Sequence, residues 1–375
     1  RDGKRSAEDL TELSDRLRVV APRRFPALET MLATWLAVLL VCAVVADRRG
    51  VRAAQRIGAL MFCWLLPVLL VTAWVAPSRD GELAIVALGT LALAVLTDRL
   101  VAWPRAIGVP CAAAVITYVL DLARGSDLIV RSLLGPNPRF GSRFYGIGNE
   151  LEATLPVLLF IALAVVLYGR GRSRNGAIAF GVAGLVLGVA VGSGRLGADV
   201  GGVLTIGAGT AVCVLLMLPG GVTRRALALA VATPAAALAG LAAIDLATGG
   251  DSHFTRSVLN ADGEGALWDT ISRRYTLAFN VLKRGLMPFA TGIALLAVAY
   301  GVRYRRRVFA PLNGDPAWTA ALWGGLAAGV AGSVFNDSGP MLLLFSTFVL
   351  AIAASYVRGG AESGAAPTVS GRTDG

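Results

Sequence analysis

The sequence predicts an all-α protein: a polytopic bundle of about eleven transmembrane helices with two long extracytoplasmic loops. Three observations carry this expectation. Of the 375 residues, 55% are hydrophobic and only 16% are charged, whereas soluble domains carry about 25% charged residues. Apolar runs almost free of charge recur along the chain; at about 20 residues each and about 1.5 Å per residue they cross roughly 30 Å of hydrocarbon. No alternating pattern of barrel strands appears, and lipid cannot satisfy bare backbone groups, so the spans are expected to be helices.

Residues 1–26 are polar and charged, with Leu10, Leu13, Leu17 and Val20 at helical spacing. This predicts a short amphipathic helix, extracytoplasmic or lying at the membrane interface. The chain opens on Arg1 without a signal-peptide pattern, which reads as a piece of a longer polypeptide or a processed form. The transmembrane domain is expected over 27–357, with apolar segments at 27–46, 58–76, 82–97, 106–123, 151–168, 176–192, 200–219, 225–245, 286–302, 316–335 and 340–357. Segments such as GVAGLVLGVAVGSG and WGGLAAGVAGSVF are rich in Gly and Ala, which lets helix backbones approach closely and predicts the packed interior. The Leu-rich LAVLLVCAVVA is expected to face lipid. Cys42, Cys63, Cys111 and Cys213 all fall in apolar runs and read as small buried hydrophobes. The tail, 358–375, is rich in Gly, Ser, Ala and Thr and is expected to be a disordered cytoplasmic segment.

The loops at 47–57, 98–105, 169–175, 220–224 and 303–315 hold 14 basic residues, against 2 in the alternate loops at 77–81, 193–199 and 336–339. The positive-inside rule puts the first set in the cytoplasm, the N-terminus outside and the C-terminus inside. The arginines of the N-terminal stretch run against this, but charges on a translocated domain control orientation less than short loops do. The net charge of +11 is accounted for by membrane orientation and lipid headgroups, so nucleic acid is not an expected partner and membrane lipids are.

This orientation gathers the unusual polar residues on the outer face. GPNPRFGSRFYGIGNE, in the long loop at 124–150, supplies Arg139, Arg143, Tyr145, Asn149 and Glu150, with Glu152 just beyond. SGRLGADVGG supplies Arg195 and Asp199, and DSHFTRS, in the loop at 246–285, supplies His253 and Arg256. NDSGP supplies Asn336, Asp337 and Ser338. Each has an ordinary structural explanation: a capped helix, an ion pair closing a turn, a solvated histidine, a polar turn. The functional alternative assigns Glu150, Asp199, His253 and Asp337 to proton transfer, and Arg139, Arg143, Arg195 and Arg256 to an anion such as phosphate, which guanidinium grips in a bidentate fork. Tyr145, Asn149, Asn336 and Ser338 would line the site. WDTISRRYTLAFNVLKR reads as a basic interfacial helix. No Walker loop, HExxH, GxSxG or CxxC pair occurs, and no metal or cofactor is indicated.

RFYGIGNE, GRLGAD-GG, SHFTR and NDSG, in this order between hydrophobic helices, resemble a poorly characterised family of bacterial multi-pass membrane proteins. In that family the membrane part follows an extracytoplasmic domain similar to the alkaline phosphatase superfamily. The resemblance spans most of 124–340 and implies a phosphatase-like domain upstream of Arg1 in the same polypeptide, in the bacterial cytoplasmic membrane. LEATLP stands here where the family has an aromatic or methionine-rich stretch.

The function expected is that of a membrane enzyme acting at the extracytoplasmic face on a polyprenyl-(di)phosphate-linked glycan, as a transferase of ligase or polymerase type in cell-envelope biogenesis. A flippase or transporter of an anionic lipid-linked substrate is the first alternative. Against it, the charges stand at helix ends and no internal repeat appears. A membrane anchor for the upstream domain is the second, although one or two helices would suffice for that.

Overall fold

The structure, a computed structural model, describes residues 7–45, 48–136, 145–193, 196–197, 199–220, 275–336 and 338–360, with a few single positions between 223 and 272. The polar N-terminal stretch and the first apolar segment form one helix, α1 (Ala7–Val45), which runs through Pro22 and Pro26. No break falls at the boundary expected after residue 26. Leu13, Leu17 and Val20 in its polar half are buried, whereas Leu40, Val41, Val44 and Val45 lie exposed, as expected of the Leu-rich run facing lipid.

Next come α2 (Arg48–Val75), α3 (Arg79–Leu100, with a π-helical turn at Ile85–Gly89), α4 (Gly108–Arg124) and the short α5 (Asp127–Arg131). They lead to α6 (Asn149–Leu167), α7 (Arg174–Gly192) and α8 (Val200–Met217). A second group holds α9 (Tyr275–Leu282), α10 (Met287–Arg303), α11 (Arg305–Val308), α12 (Pro316–Phe335) and α13 (Gly339–Gly359). No strand occurs among the described residues.

Among the described residues, seven helices, α1, α2, α3, α6, α7, α12 and α13, are each long and apolar enough to cross a membrane. The α9–α10 pair, bent by 97°, makes an eighth if it is one broken span. α9 covers the later part of the basic WDTISRRYTLAFNVLKR segment; the segment's residues before Tyr275 lie, but for Ser272, outside the described residues. α8 is a shorter apolar helix and α4 has 17 residues. The eleven expected spans are therefore met only in part, and the segment at 225–245 lies outside the described residues.

α6 sits at the centre, flanked by α4, α7, α8, α12 and α13, and its side chains are buried nearly all round. Of the small-residue helices, α8 and α12 pack closely, as expected, whereas α7 leaves Ile178, Val182, Leu185 and Val186 exposed along one face. A Cβ on Gly209 of α8 would lie 2.7 Å from the Gly324 carbonyl of α12, and one on Gly324 would lie 2.9 Å from the Gly209 carbonyl. Only hydrogen at both positions permits this approach.

Connections at the two ends of the bundle sort into two sets. At one end, the Gly146 amide donates to Ser126 Oγ, and the Ile147 amide donates to the Gly197 carbonyl at 3.4 Å. At the other, the Gly169 amide donates to Asp315 Oδ2 at 2.9 Å, and Arg56 pairs with Asp98 while donating to the Gly359 carbonyl. The long loop expected at 124–150 is partly folded: the Asp121 carboxylate accepts the Leu128 and Ile129 amides and so caps α5, whose Ile129 and Val130 are buried.

Candidate functional site

Three corners expected to carry chemistry meet at one end of the bundle. The first is held by its glycines. Gly146 adopts φ +87°, a region open to glycine at no steric cost, and a Cβ there would collide with the Gly197 carbonyl. The second corner folds back on the last turn of α7, where the Gly197 and Asp199 amides donate to the Ala190 and Val191 carbonyls, both at 3.0 Å. A Cβ on Gly197 would collide with the Val191 backbone. Glycines at 146 and 197 thus press the first corner against the second.

Asp199 then caps α8, its Oδ1 accepting the Gly202 amide at 3.3 Å. Its carboxylate is 6% exposed, and Oδ2 has no hydrogen-bond partner among the described residues. A buried oxygen of this kind wants a donor, a proton or a ligand.

Glu152, in the first turn of α6, is fully buried. Its Oε1 lies 2.8 Å from Thr205 Oγ1 of α8, and its Oε2 accepts from Asn336 Nδ2 at 2.7 Å. Asn336 comes from the third corner, between α12 and α13, where its Oδ1 also accepts the Ser338 amide. Glycine again makes the room. A Cβ on Gly202 would stand 3.3 Å from Glu152 Cγ and 3.7 Å from Asp199 Cγ, so the two carboxylates border the same small space. A Cβ on Gly201 would stand 3.0 Å from Asn336 Nδ2 and 3.4 Å from Asp199 Oδ1.

The hydrogen bonds around Glu152 serve either protonation state. Thr205 has one hydroxyl proton and two acceptors in reach, Glu152 Oε1 at 2.8 Å and the Gly201 carbonyl at 3.2 Å. If Glu152 is ionised, Thr205 donates to it. If Glu152 is protonated, it donates to Thr205, which turns its own proton to Gly201. In either state the Thr205 hydroxyl and Glu152 Oε1 stay bonded to each other, as a group that gives and takes a proton requires.

The sequence-predicted residues divide as follows. Asp199 and Asn336 stand in the cluster, and Ser338 is at its edge. Asn149 opens α6, and the Glu150 carboxylate lies beside Gly148 at that helix N-terminus, 2.9 Å from where a Gly148 Cβ would be, which fits a complement to the helix dipole. Tyr145 is 37% exposed, next to Gly146. Arg139, Arg143, Arg195, His253, Arg256 and Asp337 lie outside the described residues. Sequence reasoning missed Glu152 and Thr205 as site residues. One signal was available: a carboxylate opening a helix that is otherwise apolar must find partners inside the bundle.

Among the described residues, no three His, Cys, Asp or Glu side chains gather as metal ligands would. No family model, curated protein or solved structure matches the chain, so the functional reading rests on the geometry of these three corners.

Proposed function

We propose that the chain is a membrane enzyme transferring a glycan from a polyprenyl-(di)phosphate carrier at the extracytoplasmic face of a bacterial cytoplasmic membrane. The observation that supports this reading is the buried Glu152, bonded so that it can hold or release a proton, beside Asp199 Oδ2, which has no partner among the described residues. In the reaction, an acceptor hydroxyl attacks the anomeric carbon. The new C–O bond forms as the bond to the carrier phosphate breaks, and the hydroxyl proton passes to a carboxylate, Asp199 or Glu152. The carrier leaves as a phosphate anion, and Arg139, Arg143, Arg195 and Arg256 are its proposed counter-charges. His253 and Asp337 remain proposed members of the same site, and Glu150 is reassigned to the helix end. Both carboxylates stand in the opening turn of a helix, Asp199 as a cap and Glu152 in the first turn, which favours a surface enzyme over a path through the midplane.

The test is turnover of a polyprenyl-diphosphate oligosaccharide by protein in proteoliposomes. Glu152→Gln and Asp199→Asn keep size and hydrogen bonding but cannot cycle the proton. Loss of general acid–base catalysis is worth about 10²–10⁴-fold, so one or both variants are expected to fall by that factor with unchanged unfolding temperatures. Full turnover in both would remove the proposal.

A further inference from the structure

A groove of about 620 Å³ opens at the other end of the bundle, between α10, α12 and α13. Its walls are apolar, with Ala297, Val298, Leu322, Leu326 and Leu350 among them. It runs from Thr347 to Arg358 along α13, roughly 16 Å at about 1.5 Å per residue, much of the length of an acyl chain.

The mouth is cationic. Arg305, Arg306 and Arg358 line it. The flanking Arg303 and Arg307 are held instead over the Tyr304 ring, their guanidinium carbons 5.4 and 5.9 Å from its centroid. Among the described residues, the one carboxylate that lines the groove, Asp315, is already engaged: it accepts the Trp318 amide at 3.0 Å as the cap of α12, and the Gly169 amide at 2.9 Å. Charge at the mouth is therefore unbalanced toward positive. Trp318, 1% exposed, also lines the groove.

We infer that this groove is a binding site for an anionic phospholipid, with the phosphate at Arg305, Arg306 and Arg358 and an acyl chain along the apolar wall. Phosphate oxygens answer the guanidiniums. A free phosphate would leave the apolar length empty, and a zwitterionic lipid, whose own ammonium offsets its phosphate, would neutralise the arginines less. The site is at the opposite end of the bundle from Glu152 and Asp199 and does not depend on the proposed reaction.

The test is titration of the detergent-purified chain with phosphatidylglycerol and with phosphatidylcholine, read by native mass spectrometry. Two variants separate the headgroup from the chain. Arg305→Gln/Arg306→Gln/Arg358→Gln removes the cations. Gly301→Phe fills the groove, and because a Cβ at Gly301 meets nothing within 4 Å it does so without displacing the backbone. Wild type is expected to prefer phosphatidylglycerol, and the triple variant to lose roughly 100-fold of that affinity, about fivefold for each cation removed. Gly301→Phe is expected to bind neither lipid well, and millimolar inorganic phosphate to leave bound phosphatidylglycerol in place. Equal binding of the two lipids by wild type, wild-type affinity in either variant, or release by phosphate alone would overturn the assignment. So would a dimer that Gly301→Phe dissociates, since the groove would then belong to a second copy.

Discussion

At the scale of single residues, the site depends on glycines as much as on acids. Gly146 combines φ +87° with a carbonyl where its Cβ would be, so Gly146→Ala suffers both strain and collision. Strain of this kind costs about 1–3 kcal/mol. The expected outcome is a lower unfolding temperature together with lost turnover, since the first corner no longer seats on Gly197; an alanine variant as stable and active as wild type would refute the close approach. The glycines were legible in RFYGIGNE and SGRLGADVGG as places of tight approach, but their partner was not, because contacts distant in sequence leave no local pattern. The choice between Glu150 and Glu152 was equally closed to sequence reasoning. Two residues apart, they point to different sides of α6, and that helix is apolar on every face. With no polar stripe, only packing fixes its rotation, and packing turned Glu152 inward to Thr205 and Asn336.

At the scale of elements, composition guided the packing only in part. Of the segments rich in Gly and Ala, α8 and α12 became inner helices, but α7 leaves Ile178, Val182, Leu185 and Val186 exposed; the Leu-rich end of α1 stayed outside, while the Leu-rich α6 took the centre. The contact of α8 with α12 is specific enough to test. A methyl at Gly324 would collide with Cys213 Sγ and crowd the Gly209 carbonyl, whereas one at Gly292 of α10 meets nothing within 4 Å. Overpacking costs about 1–3 kcal/mol; relief of glycine flexibility in a helix gains up to about 1 kcal/mol. Gly324→Ala is therefore expected to lower the unfolding temperature in detergent and Gly292→Ala to hold or raise it. Equal effects would show that the two helices do not meet as described. The N-terminal boundary was misread because it was placed where polar residues give way to apolar ones, a change of composition that need not break a helix. The polar half finds partners of its own: Arg16 and Arg23 both pair with the buried Glu82 of α3, and Arg16 also donates to the Arg131 carbonyl. This holds the polar half of α1 against α3 and α5.

At the scale of the whole molecule, the alternation of connections between two ends was legible, because basic residues collect in every second short loop. The contacts agree: the corners at Gly146, Gly197 and Asn336 share one end, and those at Gly169, Asp315 and Gly359 share the other. The number of spans was less legible, since α4 and α8 are short and the α9–α10 bend divides another. The two ends also separate the two chemistries: buried carboxylates at one, cations over an apolar groove at the other. An outer-face transferase requires the carboxylate end to lie outside. The direct measurement is labelling of single introduced cysteines with a membrane-impermeant maleimide, using Tyr145→Cys at the carboxylate end and Arg172→Cys at the basic end, both exposed in the wild type. The expected result is that intact cells label Tyr145→Cys and that Arg172→Cys labels only after permeabilisation; the reverse pattern would put Glu152 and Asp199 on the cytoplasmic side and contradict the proposed reaction.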